Sequence, residues 1–158
     1  MHYLVDGYSV IHARPELRKA LARRLALARD LLVHRLQQYQ DHAGETMTVF
    51  FDGRSGKARQ ADQGIRRKTA TERKIEVVFS AEGQSADMLI EQRVGRATSP
   101  SRYLVVTADH AIENTVSALG ASSISPDSFF EMIIRAEEDF SDWLDDHRTR
   151  TKRKFQRG

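Results

Sequence analysis

Four aspartates stand where apolar runs stop. Asp6 follows Tyr3-Leu4-Val5, Asp52 follows Val49-Phe50-Phe51, and Asp109 comes shortly after Leu104-Val105-Val106. Asp87 opens a helical pattern a few residues beyond Val77-Val78-Phe79, and Glu91 shares its helix face one turn on. If the apolar runs are parallel strands, all four aspartates meet at one edge of one sheet, where such sheets bind ligands. Each has an ordinary reading taken singly. Asp-Gly at positions 6 and 52 fits a turn, Asp87 complements a helix start, and Asp109 fits a helix cap. Turns and caps accept Ser or Asn equally well, however, and carboxylates gathered together repel one another without a cation. Hard oxygen ligands suit Mg²⁺ or Mn²⁺, and the chemistry expected is metal-assisted hydrolysis of a phosphate ester. Asp6, Asp87 and Asp109 are the expected metal residues, Asp52 a supporting catalytic acid, and Glu91 a further candidate.

The elements that must position these acids alternate. Tyr3–Asp6, Thr46–Phe51, Ile75–Phe79, Tyr103–Thr107 and Ala121–Ile124 read as strands. From Pro15, the residues Leu17, Leu21, Leu25, Ala28, Leu32, Leu36, Tyr39 and Ala43 keep the helical period and predict one long helix ended by Gly44, with Arg18, Arg24, Arg29 and Arg35 largely off its apolar stripe. Ser85 caps a helix through Leu89 and Val94, a second runs from Asp109 to Gly120, and Ser125-Pro126 opens a third. The fold class is α/β, an open, mostly parallel sheet of about five strands with helices on both faces. Residues 1–146 read as one domain and 147–158 as a flexible basic tail.

Charge is distributed unevenly. The tail holds Arg148, Arg150, Lys152, Arg153, Lys154 and Arg157 without an acid, leaving 19 of the 25 basic residues against all 22 acids elsewhere. The segment before it, Glu137–Asp146, is acidic, carries Phe140, Trp143 and Leu144 at helical spacing, and can pair with the tail. Residues 53–74 lack apolar periodicity and carry eight basic residues, among them Arg54, Lys57, Arg66, Arg67 and Lys68. A loop this long inside a small domain is commonly functional or disordered, and scattered basic residues without aromatics suit phosphate contacts. His110, next to Asp109, is placed for substrate contact. The chain has no cysteine, which excludes thiolate chemistry and disulfides. No apolar run is long enough for a membrane span, and the first residues read as a strand rather than a secretory signal, so a cytoplasmic protein is expected.

Together, Asp6-Gly7-Tyr8-Ser9-Val10-Ile11, Phe51-Asp52-Gly53, Ser85-Ala86-Asp87 with Ile90-Glu91, Val106-Thr107-Ala108-Asp109, and Gly120-Ala121 with Ile124-Ser125 resemble the YacP-like branch of the NYN-domain ribonucleases, relatives of the PIN-like nucleases. The resemblance implies a Rossmann-like sheet, an acidic metal pocket and RNA cleavage, with Asp6, Asp52, Asp87 and Asp109 as its acids, and the basic tail is compatible with mRNA, structured RNA or ribosome-associated RNA as the partner. The family usually carries Asn where this chain has Ser9, which stays a pocket residue here. An RNA-binding module of the same fold with weakened catalysis is the alternative reading.

Overall fold

A computed structural model describes residues 1–53 and 74–156. Five strands form one sheet: β1 (His2–Asp6), β2 (Thr46–Phe51), β3 (Glu76–Phe79), β4 (Tyr103–Val106) and β5 (Ser122–Ile124). Their order is β3-β2-β1-β4-β5, and every pairing is parallel. Parallel strands need crossovers, and here helices supply most of them: α1 (Gly7–Ala13), α2 (Pro15–Arg23) and α3 (Leu25–Ala43) link β1 to β2, α4 (Ala86–Gly95) lies between β3 and β4, and α5 (His110–Ala118) between β4 and β5. The last helix, α6, runs from Pro126 to Gln156.

Alternation along the strands splits the core in two. Tyr3, Val5, Met47, Val49, Phe51 and Val106 pack with α1–α3 and the start of α6, around Leu32, Leu36, Phe129 and Ile133. Leu4, Phe50 and Val105 face the other way, onto Ile90, Val94, Ile112 and Val116 of α4 and α5. Helices therefore cover both faces, as expected from the alternating sequence.

Two helical expectations are corrected. The single helix expected from Pro15 onward is two, because Arg24 is extended (φ −164°, ψ 131°). An unbroken helix from 15 to 43 would span about 44 Å, whereas strands of this length cover under about 20 Å. The break lets both halves pack against the same sheet. Arg29, expected off the apolar stripe, is buried at 9% exposure, with its guanidinium 5.2 to 5.9 Å from the ring centres of Phe79, Phe51 and Tyr8. It donates to the Tyr8 hydroxyl from Nη2 at 2.7 Å and from Nε at 3.2 Å, so π faces and two hydrogen bonds receive a charge that would otherwise be costly to bury. At the other end of the chain, residues 147–156 of the basic segment continue α6. Among the described residues, no helix is long and apolar enough to cross a membrane.

Candidate active site

The chain leaves β1 toward β2 and β3 on one side, then returns to β4 on the other. That reversal opens a crevice beyond the carboxyl ends of β1 and β4. Asp6 is the last residue of β1, and Thr107 directly follows β4, whose Val106 pairs with Val5. Asp6 is buried at 7% exposure, and Thr107 completely.

Asp6 is held from two elements. Ser9 donates its hydroxyl to Asp6 Oδ2 at 2.6 Å and its backbone N–H to Oδ1 at 3.5 Å. The Thr107 hydroxyl is 3.3 Å from the same Oδ2 and accepts the backbone N–H of Asp109 at 3.1 Å. Thr107 thus joins the Asp6 carboxylate to the loop that carries Asp109. Burial pushes the Asp6 carboxyl up from its ordinary value, while the bonds from Ser9 and Thr107 oppose the rise and nearby Asp52 adds to it.

Asp52, just past β2, accepts the backbone N–H of Ala86 at 2.8 Å, fastening the start of α4 to the end of β2. That bond places Asp87, in the first turn of α4, beside the ends of the central strands. Ser85 caps the same helix by accepting from Met88 N at 3.2 Å. The Asp87 carboxyl is pushed up to about 6, first by burial and then by the negative charges of Asp6, Asp109, Asp52 and Glu91. The strand ends and the two helix starts therefore bring together the five acids picked out from sequence. Asp109, on the exposed rim, caps α5 through Oδ1, which accepts from Ala111 N at 2.8 Å. The ordinary capping reading thus holds for Asp109 alongside its place in the cluster, and Asp6, whose ordinary reading was a turn, caps α1 instead. For Asp52 and Asp109 the hydrogen bond described falls on Oδ1, and Oδ2 is the oxygen that can turn toward a cation.

Carboxylate oxygens are the donors that a hard divalent cation takes. Among the described residues, no three His or acidic side chains converge closely enough to hold an ion unaided. The set instead suits a hydrated ion such as Mg²⁺, which takes few carboxylates and retains several waters. The remaining candidates divide. Ser9 lies in the pocket with its one hydroxyl proton committed to Asp6. His110 is turned outward, with a side chain 90% exposed and Nδ1 2.9 Å from Glu113. Arg54, Lys57, Arg66, Arg67 and Lys68 lie outside the described residues. Thr107 entered the sequence reading only as a strand end and as part of the Val106–Asp109 motif, with no role at the site. The only signal for it was a hydroxyl at the last place of an apolar run, and its partner is 101 positions away.

An open parallel sheet with helices on both faces and an acid cluster beyond its central strands defines an α/β domain with an acidic site at its topological switch point. The chain belongs to the YacP-like NYN domain family, whose model matches residues 3–157. It is 31% identical over 119 residues to the uncharacterized protein YacP of Bacillus subtilis (strain 168), a match covering 75% of this chain and 66% of that protein, just under two thirds of its length. The crystal structure of Rae1 (YacP) from Bacillus subtilis is similar at a TM-score of 0.69 and 26% identity, covering 92% of this chain and 80% of that one. A mutant of the same protein gives a TM-score of 0.69 over 89% of this chain and 79% of its own.

Proposed function

We propose that this protein is a metal-dependent endoribonuclease that hydrolyses RNA phosphodiester bonds at the acid cluster. The observation that carries this reading is the gathering of Asp6, Asp52, Asp87, Glu91 and Asp109 at the carboxyl edge of the sheet, tied together through Ala86 N and Thr107, where burial and the four neighbouring acids raise the Asp87 carboxyl to about 6. Ser or Asn would cap and fasten these elements without the repulsion, so gathering like charges at a partly buried edge costs the fold stability. The arrangement is useful when a cation offsets them. A phosphodiester is itself anionic, and four aspartates without a cation would repel it.

In this reading Asp6, Asp87 and Asp109 hold Mg²⁺ or Mn²⁺ directly or through its waters. When bound, such an ion polarises a phosphoryl oxygen and lowers the pKa of a coordinated water. Ser9 and Thr107 fix the Asp6 carboxylate, and Thr107 also steadies the Asp109 loop. Asp52 sets the position of Asp87 through the Ala86 N–H, and Glu91 adds negative charge that favours cation capture. The bases of the 54–73 segment are assigned to the RNA backbone, where they contribute salt-dependent affinity.

The test is cleavage of a labelled RNA with and without added Mg²⁺ or Mn²⁺, with Asp87→Asn as control. Metal-dependent products that vanish in the variant support the proposal, and equal cleavage by both proteins removes the metal assignment. One observation favours the RNA-binding alternative, namely that Ser9, standing where the family usually has Asn, gives its proton to Asp6. That reading requires RNA binding that persists in chelator, with no products under any metal.

A further inference from the structure

Among the described residues, Asp6 and Arg29 are the buried side chains that carry a formal charge, and the two share one edge of the sheet. The rings around Arg29 mark its place. Tyr8 comes two residues after β1, and Phe51 and Phe79 end β2 and β3 and pair in register. Helix α3 leads back to the start of β2, so its second turn, which holds Arg29, lies over the carboxyl ends of these strands. Phe51 faces α1–α3, whereas Asp52, the next residue, turns to Ala86 on the α4 side. The guanidinium and the acid cluster therefore flank the same edge from its two faces.

The guanidinium is held along one side and open along another. Nε and Nη2 both donate to the Tyr8 hydroxyl, at 3.2 and 2.7 Å. Because they share one acceptor, they form the side edge of the fork. The end edge, Nη1 with the second Nη2 proton, is left. Among the described residues nothing accepts from Nη1, and no carboxylate lies within ion-pair reach of Arg29. No buried side-chain nitrogen among them lacks a partner either, so Nη1 meets solvent. The Tyr8 hydroxyl proton likewise has no acceptor among the described residues. Packing alone does not require this arrangement, since Met or Leu would fill a ring-lined slot without burying a charge. The π faces soften the burial but leave the charge unneutralised. Two parallel N–H groups at an open edge match two oxygens of a phosphate.

We propose that Arg29, fixed by Tyr8, binds a backbone phosphate of the RNA next to the scissile one, so that the strand leaves the acid cluster across the ends of β1, β2 and β3. The position of that phosphate relative to the cut rests on the nuclease reading above; the phosphate contact itself does not.

Binding of a labelled single-stranded RNA to the full chain tests this, with Ca²⁺ present to offset the acids and again in chelator, over a range of salt. Arg29→Gln is expected to weaken binding at least roughly tenfold and to lower the slope of log affinity against log salt by about 0.7, the share of one phosphate on a single strand. Arg29→Lys keeps the slope and loses part of the affinity, because an ammonium retains the charge but not the fork. A purely structural cation would lower stability and leave the slope alone. A folded Arg29→Gln with wild-type affinity and slope overturns the proposal, as does a wild type that binds no RNA in either condition. If Arg29→Gln does not fold, the Arg29 Nε–H resonance of the wild type decides: a shift on adding RNA is expected, and a signal unmoved at saturating RNA overturns the proposal. An equal shift with inorganic phosphate at matched phosphate concentration overturns the assignment to RNA. Failure of the nuclease reading looks different. Binding with an Arg29-dependent slope but no cleavage under Mg²⁺ or Mn²⁺ supports the phosphate contact and removes the enzyme.

Discussion

Replacing Asp87 by Asn should stabilise the metal-free protein at neutral pH while abolishing cleavage. The Asp87 carboxyl rises from 3.8 to about 6 on folding. At about 1.4 kcal/mol per pKa unit, this destabilises the ionised folded state by at most about 3 kcal/mol. Asp87 is only partly buried, so solvent screening reduces the figure to about 1.5 kcal/mol. An Asn in the first turn of α4 also loses the favourable interaction of a carboxylate with the helix start, about 0.5 kcal/mol. The net gain expected is about 1 kcal/mol, or roughly 2 to 4 °C in Tm for a chain of this size. The sign follows from linkage. Between 3.8 and about 6 the folded state holds a proton that the unfolded state has released, so wild-type stability falls as pH rises through that window. The cost is absent below 3.8 and complete above about 6. Thermal unfolding of both proteins in chelator, at about pH 8 and about pH 3.5, therefore separates charge from packing. The advantage of Asp87→Asn should appear at the higher pH and vanish at the lower. Saturating Mn²⁺ should reverse the order, raising the wild type and leaving the variant nearly unmoved. A variant no more stable than wild type at about pH 8, or equally favoured at both pH values, would refute the reasoning.

The same acids and the groups that hold them set the remaining outcomes. The wild-type Tm increase on adding Mn²⁺ should shrink as pH falls below about 6, because protons compete with the ion for Asp87; calorimetry at constant free metal measures it. Ser9→Ala removes the 2.6 Å bond to buried Asp6 and should cost about 1 to 3 kcal/mol in urea unfolding, with the Asp6 carboxyl titrating higher by NMR than in wild type. Thr107→Val should move Asp6 the same way and weaken Mn²⁺ binding, since Asp109 N also loses its acceptor. Gly53→Ala should destabilise by about 1 to 3 kcal/mol, because a Cβ there runs into the Ser80 carbonyl oxygen and threatens the Gly53 N–Ser80 Oγ bond of 3.0 Å; urea unfolding reports the loss.

Local chemistry is legible because it repeats within a few residues. Apolar runs ending at Asp6 and Asp52 identify strands and their carboxyl ends, and alternation of strand with helix requires parallel pairing. From these alone the acids fall at one edge. The division of Pro15 to Ala43 into two helices was not legible, since nothing at Arg24 breaks a helix locally. The length of the sheet sets that break. Arg29 likewise looked like a surface cation until Tyr8, Phe51 and Phe79 were folded around it.

The sequence by itself determined the strand ends, the parallel α/β architecture and the family, because each depends on residue type and short-range period. Tertiary structure decided which oxygen of Asp6 meets Ser9 and Thr107, how Asp52 anchors the start of α4, and how far burial and the neighbouring acids push Asp87 upward. Those properties depend on distances between groups up to about a hundred positions apart. Electrostatic and hydrogen-bond energies change steeply over a few ångströms, and only the packed sheet fixes such separations.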